Sequence, residues 1–231
     1  MRSTVAEGQL SPFDGPPVSG SYHAPEASHR YVLDTVRAAD RDRFLAALFA
    51  PEPARSGLMA LLAFDHELGR ARIVTREPLL AEIRLQWWRE AATEGAGTEK
   101  PRAQPIVETL AETARRHRLA PESLVALIDA RAEEIEGSLD VVRTGAAFAD
   151  LELGVLGVSD APTRKAAHAV AAAGLMGEDR ERGAVLAEAR GARKVDPAAL
   201  PILIQARLLD RPMPPWRKPL VLWWAARRGR W

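Results

Sequence analysis

An acid on the apolar side of a helix is the feature that most constrains this chain. Between Ala54 and Val74, Leu58, Leu61, Leu62 and Leu68 recur at the three-and-four spacing of one helix face, and Asp65, Gly69 and Arg72 fall on the same stripe. An unpaired carboxylate is too costly to leave buried, so Asp65 needs a partner. Two arrangements satisfy it. One is an ion pair with Arg72 or another arginine inside a helical bundle. The other is a surviving polar pocket that binds an anion through Arg70, Arg72 or Arg84. Glu67 lies two residues from Asp65, so these two acids point to different sides of the helix.

The surrounding sequence is helical in period as well. Residues 31–49 form a first helix with Val36, Phe44, Leu45, Leu48 and Phe49 inward and Asp40, Arg41, Asp42 and Arg43 mostly outward; Pro51 and Pro53 end it. Glu77-Pro78 opens a helix whose buried line is Leu80, Ile83, Trp87 and Ala91, with Trp87 and Trp88 as core or interface residues. Beyond a polar loop at residues 94–105, Ile106, Val107, Leu110 and Ala114 mark a fourth helix that His117 continues as a core-edge residue. Pro121 starts a fifth, with Leu124, Leu127, Ile128 and Ile135 inward. Its acids Asp129, Glu133 and Glu136 read as a solvated face. Ser159 or Asp160 caps a further helix with Pro162 in its first turn, and Asp196-Pro197 opens a last apolar stretch through Leu200, Leu203, Ile204 and Leu208. Aromatic residues make up only 6% of the 231 residues while Ala, Leu, Arg and Glu dominate, which favours an all-α bundle over a sandwich or barrel. Residues 1–29, rich in Gly, Pro and Ser, read as a disordered tail in which His23 and His29 are solvated; residues 30–231 form one helical domain.

The phrases DRDRFLAALFAP, LLAFDHELGRAR and EPLLAEIRLQWWREA, in that order, resemble the squalene/phytoene synthase family, and more closely its divergent branch of complex I assembly factors and their bacterial relatives. The resemblance implies the isoprenoid (terpenoid) synthase fold, here shortened, because residues 137–160 depart from the family's pattern where another long helix is usual. It also implies what is missing. Enzymes of the family hold magnesium on an aspartate-rich motif just after an Ala-Phe-Cys-Arg phrase; laid on Ala63-Phe64, its carboxylates fall on Gly69, Arg70 and Ile73 or Val74. The second acidic motif is reduced to Glu178 and Asp179, with Leu175 where an aspartate is needed. Asp65, Glu67, Arg70, Arg72 and Arg84 are then the remnant of a pocket, with no catalytic residue, no metal site and no cofactor expected.

The chain closes on a stretch, residues 212–231, that contains Arg217, Lys218, Arg227, Arg228 and Arg230 and no acid, interleaved with Trp216, Trp223, Trp224 and Trp231. Such a helix either lies on a membrane surface or packs Leu220, Trp223 and Trp224 onto the bundle with a basic end in solvent. The net charge of +1 leaves no matching basic surface for nucleic acid. With no cysteine, disulfides and thiolate sites are excluded. No apolar run approaches the roughly 20 residues that span a bilayer. The expectation is a non-catalytic assembly factor or scaffold for a membrane complex, respiratory complex I by resemblance, held peripherally at the cytoplasmic side of the inner membrane by its C-terminal helix. The alternative is a prenyl-diphosphate or isoprenoid-lipid transferase or binding protein.

Overall fold

The computed structural model describes residues 22–74, 77–97, 100–177, 180–192 and 194–231, and gives only the backbone for Arg72, Val74, Glu136 and Arg180. Among the described residues there are twelve α-helices and no strand: α1 (Glu26–Ala39), α2 (Arg41–Ala47), α3 (Ala54–Val74), α4 (Pro78–Ala96), α5 (Pro105–His117), α6 (Pro121–Glu136), α7 (Val141–Leu156), α8 (Ala161–Leu175), α9 (Arg180–Arg190), α10 (Leu200–Leu203), α11 (Ala206–Leu209) and α12 (Lys218–Arg227). Their starts follow local chemistry. Proline occupies the first turn of α4, α5, α6 and α8. Gln104 accepts from Val107 N, Asp140 from Val142 N and Arg143 N, and Asp160 from Thr163 N, so side chains satisfy donors that a helix start leaves free.

Helix α3 runs through the middle. Leu58, Leu61, Phe64 and Leu68 are buried on it, and α1, α5 and α7 pack around it. The tightest pairing is α7 on α8, where Gly145 lets the alanine-rich face of α8 approach so closely that an added Cβ would lie 2.6 Å from Ala172 N. A second, smaller apolar cluster of Ala46, Ile204, Leu208, Leu222 and Ala225 fastens α12 and the α10–α11 turns to α2.

Four sequence expectations change. The helix expected over residues 31–49 is two helices, because Asp40 leaves helical conformation and accepts from Arg43 N at 2.9 Å, capping α2. This break turns Arg43 into the molecule and leaves Leu48 exposed. Helix α1 starts at Glu26 rather than Tyr31, and His29, placed in the tail by its composition, sits on α1 with Nε2 3.0 Å from a Glu112 carboxylate oxygen. On α4 the buried line is Ala81, Leu85, Trp88, Ala91, Ala92 and Gly95, whereas Leu80 is 49% and Ile83 57% exposed. Small residues let α4 settle close to α5, where a Cβ on Gly95 would come 3.2 Å from Ala111 Cβ, and Trp88 meets Phe64 edge-on at 5.6 Å. Finally, residues 137–160, expected to depart from the family's pattern where another long helix is usual, contain the 16-residue helix α7. The acidic face of α6 is engaged by cations, with Arg89 on Asp129 and Arg143 on Glu133; the Glu136 side chain lies outside the description.

Candidate functional site

Asp65 is 2% exposed, on the inner face of α3. Two arginines from distant helices close on it. Arg43 of α2 donates through Nη1 to Oδ2 at 2.9 Å, and Arg131 of α6 donates through Nη2 and Nε to Oδ1 at 2.6 and 3.2 Å. Gly69, one turn along α3, has no side chain to obstruct Arg131, whose guanidinium passes 3.8 Å from where a Cβ would stand. Arg43 also holds Asp40 at 2.7 Å and lies 5.3 Å from the centre of the Phe148 ring. Burial by itself would raise the Asp65 pKa, but Arg131 and then Arg43 outweigh it and hold the carboxyl below the usual range. The same two carboxylates, Asp65 and Asp40, raise Arg43 against the opposing effect of burial.

Beside this cluster is a cavity of about 230 Å³ between α2, α3, α6, α7, α8 and α11. Its charged end carries Asp40, Asp42, Arg43, Asp65 and Arg131; Thr144 and Gln205 add neutral polar groups, and Phe148, Leu175 and Leu208 an apolar wall. Thr144 Oγ1 is buried without a hydrogen-bond partner. One and two turns past Thr144 on the same face of α7 come Phe148 and Glu152. Glu152 is 4% exposed, and burial, opposed by Arg43 and reinforced by Asp65, pushes its carboxyl up to about 8.

Magnesium, which the resemblance implies for enzymes of this type, does not fit these residues. It needs hard oxygen ligands, usually carboxylates left free to coordinate. Here every carboxylate that lines the cavity among the described residues is held by a cation of the chain: Asp40 by Arg43, Asp42 by Lys218 at 2.7 Å, and Asp65 by both arginines. Among the described residues no group of three or more His, Asp or Glu side chains could hold a metal ion. Glu178 and Asp179 of the second acidic phrase lie outside the described residues.

Of the pocket residues read from sequence whose side chains are described, Asp65 alone reaches the cavity. Glu67 and Arg70 pair with each other at 2.8 Å away from it, Arg84 is exposed on α4, and the Arg72 side chain lies outside the description. The partners of Asp65 are Arg43, which the helical period turns mostly outward, and Arg131, which stands on α6 between the acids Asp129 and Glu133. Their only signal is the need of a buried acid for a cation.

The C-terminal segment forms a second feature. Leu222 and Ala225 point into the smaller core, and Lys218 Nζ lies 2.7 Å from both carboxylate oxygens of Asp42, so Lys218 ties α12 to α2. Trp216, Leu220, Trp223 and Trp224 face outward, 70%, 60%, 52% and 52% exposed. Arg217, Arg227 and Arg228 stack over Trp216, Trp223 and Trp224 in turn. No helix among the described residues is long and apolar enough to cross a membrane.

An all-helical bundle closed round a polar cavity is the isoprenoid synthase type of architecture, and the crystal structure of squalene synthase HpnC from Alicyclobacillus acidocaldarius shares it. That match has a TM-score of 0.54 and 16% identity, and covers 88% of this chain and 94% of the other. The chain belongs to the squalene/phytoene synthase family, whose signature matches residues 36–176. It is also similar to NADH dehydrogenase (ubiquinone) complex I, assembly factor 6, of Bos taurus (29% identical over 118 residues, 51% of this chain and 35% of that protein). The protein of that name from Homo sapiens is 28% identical over 128 residues, 53% of this chain and 38% of its own. The matched part thus spans little more than a third of these relatives.

Proposed function

We propose that this protein is a non-catalytic member of the squalene/phytoene synthase family that serves as an assembly factor or scaffold for a membrane complex. Respiratory complex I is the client that its relatives' name suggests. The observation that carries the reading is the state of the cavity's acids. Among the described residues each one is paired with an arginine or lysine of the same chain, which supports a cavity that serves as an internal strut rather than as an oxygen cage for magnesium and a diphosphate. The similarity to complex I assembly factor 6 supports the assembly role. The outward tryptophans and arginines of α12 support a peripheral position at the cytoplasmic side of the inner membrane, with α12 as the contact. The test is co-purification from detergent-solubilised membranes, with wild-type protein and with Trp223→Ala/Trp224→Ala. The reading expects subunits of one membrane complex with the first and their loss with the second. Magnesium-dependent condensation of prenyl diphosphates by the purified protein would overturn it.

The cavity of about 230 Å³ favours a second reading, in which the protein binds a prenyl diphosphate or an isoprenoid lipid without processing it. Its charged end supplies Arg43 and Arg131, and its wall supplies Phe148 and Leu208. Calorimetric titration with farnesyl diphosphate separates the two. Saturable binding that Phe148→Trp abolishes supports the second, and no heat of binding leaves the scaffold reading alone.

A further inference from the structure

The outer face of α12 combines two properties that seldom occur together. Its groove, about 780 Å³, is lined by Arg207, Trp216, Leu220, Trp223, Trp224 and Arg228 among others, with no acid among the described lining residues. Arg207, Arg217, Arg227, Arg228 and Arg230 have no carboxylate partner among the described residues. In the rest of the bundle Arg43, Arg89, Arg102, Arg116, Arg131, Arg143, Arg164 and Arg190 each meet an Asp or Glu, whereas Arg37, Arg41, Arg84, Arg118 and Arg211 meet none among the described residues. Arg217, Arg227 and Arg228 instead lie over indole rings.

We infer that this face is a docking site for an anionic phospholipid bilayer, with lipid phosphates taken by the unpaired arginines and the tryptophans seated at headgroup level. The inference deepens the membrane-side reading above and rests on it. Charge complementarity selects the occupant. An interface built for a protein gathers its apolar residues at the centre and keeps its charges at the rim. Here the guanidinium groups of Arg217, Arg227 and Arg228 lie over the outward indole rings of Trp216, Trp223 and Trp224, so cation and apolar surface must be satisfied at the same depth. A bilayer interface does this, because indole rings prefer the boundary between tails and headgroups and arginines reach anionic phosphates from there. Ten residues of helix, roughly 15 Å, are too short to span a bilayer and suited to lying along it. Lys218, held by Asp42, is not among the lipid-facing cations; it fixes the helix so that the face is presented as a rigid unit.

Vesicle flotation of the full chain tests the site. Phosphatidylcholine vesicles are compared with vesicles that also contain phosphatidylglycerol, at low and at high salt. Wild-type protein is expected to float with the anionic vesicles roughly tenfold or more in preference to the neutral ones, and added salt to weaken the association. Trp223→Ala/Trp224→Ala and Arg227→Gln/Arg228→Gln should each lose most of the binding while keeping the wild-type melting temperature. The second pair, lying outside both cores, guards against a folding artefact in the first. Equal flotation with both vesicle types, no flotation with the anionic ones, or wild-type binding by both variants would overturn the inference. The co-purification above is read in parallel. A complex recovered by a protein that ignores vesicles sinks the lipid site and spares the scaffold reading, and vesicle binding without any complex does the reverse.

Discussion

Glu152 and Asp65 are buried neighbours that respond to pH in opposite senses. Asp65 is stabilised as an anion, so its contribution is present above the ordinary carboxylate pKa and is lost as pH falls through its lowered folded value. Glu152 is stabilised as a neutral acid, with a folded pKa of about 8 against 4.5 for an unperturbed glutamate. Between those two values the folded protein holds a proton that the unfolded chain has released, so stability falls as pH rises across the window and levels off above it. Glu152→Gln should remove that slope and raise the melting temperature most at about pH 8 and above. The gain is of order a few kcal/mol, from about 1.4 kcal/mol per unit of pKa shift; thermal melts across the pH range check it. Asp65→Asn should cost about 3–5 kcal/mol, because it leaves Arg43 and Arg131 buried without their shared anion; urea titration measures this. Asp65 was legible in the sequence because an acid interrupts an apolar stripe. Arg43 and Arg131 were not, since they lie 22 and 66 residues away and an arginine in a charged run looks solvated whichever way its long side chain turns.

Helices in this bundle are positioned by their small residues as much as by their large ones. The period of leucines and tryptophans on α4 identified a helix correctly but chose a face turned away from the one that packs, because alanines and Gly95 permit a closer approach than Leu80 or Ile83 would. The same principle governs α7 against α8. Gly145→Ala would drive a methyl group into backbone atoms of Ala171 and Ala172, which cannot yield as a side chain does, so destabilisation of about 1–3 kcal/mol or more is expected despite the better helix propensity of alanine. Gly183→Ala on α9 provides the contrast. Its Cβ meets nothing within 4 Å, so it should stabilise by about 0.5–1 kcal/mol. Denaturant midpoints of the two variants should therefore move in opposite directions.

At the scale of the molecule, the fold class was readable because helical period and proline-marked starts recur along the chain, and the family phrases fixed the order of the central helices. How the C-terminal stretch attaches was not readable, since Leu222 and Ala225 are modest residues beside four conspicuous tryptophans. Five buried side chains and the Lys218–Asp42 pair hold it, against a far larger cluster round α3. Leu222→Ala should cost about 2–5 kcal/mol locally, and trypsin should then cut after Arg217 well before the bundle is digested. The inequality of the two clusters has a kinetic corollary. Amide protons of α12 should exchange with deuterium through a partial opening that leaves α3 protected, so the segment can let go of the bundle and re-dock without the chain ever unfolding.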